Sequence, residues 1–124
     1  MLSEIASMSE RGNRDWLFYI DDMIGFAEKV IKYTAGLEES EFAERGLVYD
    51  GVLRNLELIG EAATHVPSDV RERHAKIPWR LIIATRNRLI HGYLGIDDET
   101  LWSIVNGDVV ALLPRLITLQ DEGR

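Results

Sequence analysis

The stretch Trp79 to Tyr93 gathers Arg86, Asn87, His91 and Tyr93 within eight residues. These are the groups that acid–base work on a phosphodiester needs. Arg86 offers a planar, permanently charged fork for phosphate oxygens. His91 brings an imidazole, which can take or give a proton. Asn87 lies four residues before His91, one helical turn below it, and could orient the ring. Tyr93 adds a hydroxyl beside them.

A single straight helix would not bring these groups together. At about 100° per residue, Arg86 and Tyr93 fall within about 20° of each other, whereas His91 lies about 140° from Arg86. Either the helix breaks near Gly92, or the same segment of a second subunit completes the site across a two-fold axis. The second arrangement, helped by the first, is the expectation. By residue type alone, the same stretch also reads as a basic helix end with a histidine at its terminus.

Other chemistries are excluded or weak. The chain has no cysteine, which removes thiol nucleophiles, disulfides and cysteine-bearing metal sites. It has no HExxH, no glycine-rich phosphate loop, no G-x-S-x-G elbow and no Glu-x-x-His pair of the kind that builds carboxylate-bridged metal sites in bundles. His65 and His74 lack partners at metal-ligand spacing and read as packing or surface histidines. No metal and no cofactor are expected.

The chain carries 14 Lys and Arg against 21 Asp and Glu, a net charge of −7. Such a balance gives no general affinity for nucleic acid. The basic residues are nevertheless concentrated. From Arg71 to His91, the six residues Arg71, Arg73, Lys76, Arg80, Arg86 and Arg88 are opposed only by Glu72. A cationic segment in an anionic body suits a local anion site, although a basic face paired with acidic neighbours would read the same way. Lys76, Arg80 and Arg88 are the weaker candidates for guiding a polyanionic substrate. Glu57 and Glu61, one turn apart, could neutralise Arg54 or Arg86.

The elements that must position these groups are helical. The 124 residues suffice for one self-supporting domain. Leu17, Ile20, Ile24, Ala27, Val30 and Ile31 recur at three- and four-residue steps, with Gly36 as a stop. A second helix of about 27 residues is predicted from Glu38–Glu41 through Val48, Val52, Leu56, Ile59, Ala62, Ala63 and Val66 to Pro67. Close approach of another helix would explain Gly46, Gly51 and Gly60 inside it. Ser68-Asp69 caps a short helix through His74. Pro78-Trp79 opens the helix carrying the site, with Leu81, Ile82, Ile83, Ala84, Leu89 and Ile90 as its apolar residues and Gly92 ending it. Asp97 or Asp98 caps a last helix, Glu99 to about Gln120, whose inward residues include Leu101, Val105, Val109, Leu112, Leu113 and Leu116, with a kink at Pro114. The fold class is all-α: an antiparallel bundle of four long helices and a short one. It forms one domain over 1–124, with 1–14 peripheral and 121–124 frayed. No apolar run approaches the roughly 18–20 residues that span a bilayer, and the acidic start is unlike a signal peptide. A cytoplasmic setting without membrane association is expected.

Arg86-x4-His91-x-Tyr93 matches the Arg-x4–6-His-x-Tyr pattern of the HEPN superfamily. The chain resembles in particular the HepT-like ribonuclease toxins, through Arg54-Asn-Leu-Glu-Leu-Ile-Gly-Glu-Ala-Ala63, Pro78-Trp79, Arg86 to Tyr93 and the segment from Asp97 to Asp108, in that order. The resemblance implies a homodimeric helical bundle whose paired motifs form a cleft. It implies a metal-independent endoribonuclease acting on tRNA or mRNA, with Arg86 and His91 catalytic. It also implies an MntA-type nucleotidyltransferase antitoxin, which silences the toxin by adding AMP to Tyr93. Assembly with that antitoxin could build a larger hetero-oligomer. The alternative is a HEPN dimer that binds nucleotide or its nucleotidyltransferase partner without cutting RNA.

Overall fold

A computed structural model describes residues 15–92 and 96–124. Among them every regular element is helical. Helix α1 spans Trp16–Thr34 and α2 spans Glu39–Glu44. Helix α3 spans Gly46–Thr64, α4 spans Ser68–Arg73, and α5 spans Trp79–His91. Helix α6, Asp98–Ser103, continues through a π-helical turn, Ile104–Asp108, into α7, Val109–Glu122.

The core lies where α1, α3 and α7 meet. Helix α1 contributes Ile20, Met23, Ile24, Ala27 and Val30, α3 contributes Val52, Leu56, Ile59, Ala62 and Ala63, and α7 contributes Val109, Leu112, Leu116 and Leu119. These are largely the stripes read from the sequence. The continuous helix Asp98–Glu122 is long and apolar enough in composition to cross a membrane. The expectation that no apolar stretch approaches membrane-spanning length is thus corrected; one stripe of this helix, including Leu101 and Val105, is buried in the core, while Val110 and Ile117 are exposed.

Three local expectations are corrected. The helix expected from Glu38 to Pro67 is two helices, broken at Arg45 (φ −89°, ψ 89°). In an unbroken helix, residues 42 and 49 would stand about 10 Å apart along the axis. The break folds the fully buried Phe42 back until its ring lies 5.3 Å from that of Tyr49 and 5.4 Å from that of Trp102. An aromatic cluster thus outweighs helix continuity. Second, the end expected to fray stays helical through Glu122, whose carboxylate reaches Nε2 of His74 at 3.0 Å. Third, Pro67 rather than Ser68 or Asp69 occupies the N-cap of α4.

The expected stops hold. Gly36 and Gly92 both adopt positive φ, +76° and +67°, where a side chain would be strained. Asp97 caps α6, accepting from the Thr100 N–H at 2.8 Å and from its hydroxyl at 3.0 Å. Those bonds, aided by Arg88, hold its carboxyl below the usual aspartate range. Pro114 sits within α7 without ending it.

Candidate active site

Helix α5 flanks the core and packs chiefly on α3. Only Trp79 of α5 is buried, while Leu81 and Ile90 are about half exposed. The indole N–H of Trp79 donates to the carbonyl of His74 at 3.1 Å, fixing the start of α5. Trp79 is thus a structural residue.

Arg86 sits where α5 meets α3. A Cβ built on Gly60 would lie 2.1 Å from the Arg86 Cβ, so only a glycine there lets α5 approach this closely. The expectation of close approach holds at Gly60 alone: a Cβ on Gly51 would touch the Tyr33 ring at an ordinary 3.4 Å, and Gly46 has open space and simply begins α3. The guanidinium is held on both arms. Nη1 donates to Oδ1 of Asn87 at 2.9 Å, and Nη2 pairs with Oε2 of Glu61 at 2.5 Å. Nε is buried without a hydrogen-bond partner. Such a group costs about 1–3 kcal/mol, and a protein keeps it where the arginine's placement matters more than its comfort.

Glu61 also faces His65, whose Nε2 is 3.5 Å from Oε1. The His65 ring stacks on Tyr19 with centroids 4.5 Å apart. Arg54 pairs with Glu57 at 3.2 Å. Each of the two acids therefore takes one of the two arginines that the sequence offers them, within a single chain. Arg54, Glu57, Leu58, Glu61, Arg86 and Ile90 line an open pocket of about 200 Å³.

His91 is the last residue of α5 and is exposed. The helix is unbroken from Arg86 to His91, so the angular separation of about 140° stands within one chain. The turn at Gly92 comes after both residues and cannot bring them together. Tyr93 lies outside the described residues. Asn87 is expected from its spacing to orient His91; the bond seen from its Oδ1 is to Arg86.

The basic segment divides by role. Arg71 is structural: it donates to the carbonyls of Val66, Ala63 and Thr64 at 2.9, 2.9 and 3.2 Å, closing the C-terminal end of α3. Arg73 pairs with Asp69. Arg80 is exposed beside a groove lined by Ser68, Arg71, Glu72 and Asn87. Arg88 lies on another face of α5, along a groove that includes the acids Glu99 and Asp108. Lys76 is exposed, and its carbonyl accepts from Arg115 at 2.6 Å. Among the described residues, no group of three or more His, Asp and Glu side chains is placed to hold a metal ion.

A family model described as Ribonuclease HepT-like matches residues 23–119. The chain belongs to the HepT-like ribonuclease family of the HEPN superfamily. Among its relatives, the Methanocaldococcus jannaschii protein named "Putative RNase MJ1380" is 38% identical over 96 residues, covering 77% of this chain and 88% of that protein. The Thermococcus cleftensis protein named "Probable ribonuclease HepT" is 33% identical over 103 residues, covering 83% and 91%. No solved structure matches the chain with significance. The family and the names of these relatives support a ribonuclease function for this HepT-like chain. Glu61, which the sequence offers as a neutraliser of Arg86, pairs with it, and His65, which reads from the sequence as a packing or surface histidine, faces Glu61. The four-residue spacing of His65 from Glu61 on one helix is the signal that could have found it.

Proposed function

We propose that this HepT-like chain is the toxin of a toxin–antitoxin pair. In this reading it is a metal-independent endoribonuclease that cleaves tRNA or mRNA at a composite Arg/His site between two copies of the chain. An MntA-type nucleotidyltransferase silences it by AMPylating Tyr93. The observation that carries the reading is the fixed guanidinium of Arg86, held by Asn87 and Glu61 five residues ahead of an exposed His91. Relatives named as ribonucleases support the reaction class.

RNA brings its own nucleophile, the 2′-hydroxyl, so the protein must only move protons and balance charge. His91 of one chain takes the 2′-hydroxyl proton as the 2′-oxygen bonds to phosphorus. The bond from phosphorus to the 5′-oxygen breaks, and His91 of the partner subunit gives that oxygen a proton. Products are a 2′,3′-cyclic phosphate and a 5′-hydroxyl. Proton transfer of this kind is worth about 10²–10⁴-fold in rate. Arg86 stabilises the charge that builds on the non-bridging oxygens. The angular gap between Arg86 and His91 on a continuous α5 favours a site shared by two copies. AMP on Tyr93 would set a bulky anion in this cleft and exclude RNA.

The test is cleavage of total tRNA and mRNA in EDTA by unmodified protein, with intact mass confirming that Tyr93 carries no adduct. Cutting that survives EDTA and disappears in His91→Ala and Arg86→Ala is expected. Cutting abolished by EDTA would overturn the metal-free mechanism. Absence of cutting on any RNA would overturn the enzyme and leave a HEPN binding module.

A further inference from the structure

Arg86 presents a puzzle of charge. A cleft built to receive phosphate places a carboxylate, Glu61, 2.5 Å from the arginine meant to bind it. An acid there weakens attraction for RNA, so its presence calls for a compensating role.

The donor inventory supplies one. A guanidinium has five N–H groups. Nε is enclosed without a partner, Nη1 gives one N–H to Asn87, and Nη2 gives one to Glu61. One N–H on each terminal nitrogen is then left to donate to phosphate oxygens. The stem lies against Gly60 and fixes the root of the side chain. Asn87 and Glu61 fix its head from opposite sides, one from α5 and one from α3. Releasing the Glu61 arm would let the fork swing away from α3 and turn its free edge.

We infer that Glu61 is a positioning residue for Arg86, trading ground-state attraction for RNA against orientation of the guanidinium in the transition state. The inference rests on the ribonuclease reading and deepens it. It has a kinetic signature that a merely structural acid would not give, because kcat and KM respond in different directions. Glu61→Ala frees the fork and removes a negative charge, so kcat falls about 10- to 100-fold while KM is unchanged or lower. Glu61→Gln keeps an oxygen to accept from Nη2 and loses the charge, so kcat stays within about threefold of wild type while KM falls. Glu61→Asp keeps the charge on a shorter arm, so kcat falls without any gain in KM.

The experiment is steady-state cleavage of an RNA oligonucleotide by the unmodified full chain and these three variants, with melting temperatures to confirm folding. It is paired with ¹⁵N NMR of the Arg86 guanidinium, which is independent of activity. Separate Nη resonances are expected in wild type and Glu61→Gln, merging in Glu61→Ala as rotation is freed. Unchanged or raised kcat in Glu61→Ala would overturn the inference, as would an unaltered Arg86 spectrum. If wild type cuts no RNA, the ribonuclease reading falls by itself, and the spectra alone then decide whether Glu61 holds Arg86. Should Glu61→Ala fail to fold, the contrast between Glu61→Gln and Glu61→Asp decides the same question.

Discussion

Gly60 offers the most direct probe of how the site is built, because a single methyl group there collides with the root of the Arg86 side chain. In Gly60→Ala the new Cβ would stand 2.1 Å from the Arg86 Cβ, 2.8 Å from its Cγ and 3.1 Å from the Ile82 carbonyl. Ordinary contact begins at 3.4 Å, so the Arg86 Cβ must retreat by about 1.3 Å or more. A Cβ moves only with its backbone, so α5 itself shifts off α3, and no change of rotamer relieves the clash. Overpacking of this kind costs about 1–3 kcal/mol, against a gain of about 1 kcal/mol from replacing glycine within a helix. A net loss of about 1 kcal/mol lowers Tm by roughly 4 °C in a chain of this size. The effect on rate is larger in proportion, since a displacement of about 1 Å can cost about 10²-fold. The assay is RNA cleavage well below Tm, alongside thermal unfolding. Gly25→Ala is the control: it lies mid-α1 with nothing within 4 Å of its Cβ position, and should raise stability by about 0.5–1 kcal/mol. A Gly60→Ala protein with wild-type Tm and rate would refute the argument that α5 rests on α3 through this glycine.

Arg71→Met keeps the aliphatic stem but removes three hydrogen bonds to the end of α3. Chemical denaturation should show a loss of about 2 kcal/mol, with cleavage unchanged at temperatures where the protein is folded. Asp97 titrates lower in the fold than in the unfolded chain, first through its bonds to Thr100. Its contribution is therefore full above the unfolded value of about 4 and is lost as pH falls through the lower folded value. Melting curves of wild type and Asp97→Ala should accordingly differ at neutral pH and converge in acid. Leu81 is 53% exposed on α5 beside an apolar cavity lined by Leu56, Ile59, Ile82, Ile104 and Leu112. Leu81→Glu should shift the proposed dimer toward monomer in sedimentation analysis, and cleavage should fall with the dimer if the site is shared.

The sequence is most legible where local rules and tertiary packing agree. The stripes of α1, α3 and α7 are regular enough that their period dictates the buried face, and Gly36, Gly92 and Asp97 stop or start helices through their own backbone and side-chain chemistry. It is least legible where a distant partner overrides a local preference. Near Arg45 the one local signal is Gly46, a helix-ending residue that also reads as a packing glycine, and what decides the break, the burial of Phe42 beside Tyr49 and Trp102, brings together residues from α2, α3 and α6. The π-helical turn at Ile104–Asp108 is silent, and nothing in the structure explains it. The sequence marks Gly60 as a place to admit a neighbour, but the identity of that neighbour, the stem of Arg86, depends on how α5 docks.

The same division governs the reading of charge. Counting cations from Arg71 to His91 suggests a broad basic surface, yet placing them dissolves much of it. Arg71 is consumed by carbonyls, Arg73 by Asp69, and Arg86 is shared between Asn87 and Glu61. What is left for a polyanion is Arg80, with Lys76 beyond it and Arg88 on a face that also carries Glu99 and Asp108. With a chain charge of −7, the few uncommitted cations of that segment do not by themselves amount to a broad basic surface for RNA. Affinity that depends on few phosphates has a shallow salt dependence, because the slope scales with the number of phosphates neutralised. Selectivity then has to come from how well a phosphate fits an arginine already fixed in place. A fitted arginine of that kind requires the glycine, amide and carboxylate around it, and a generic basic patch requires none of them.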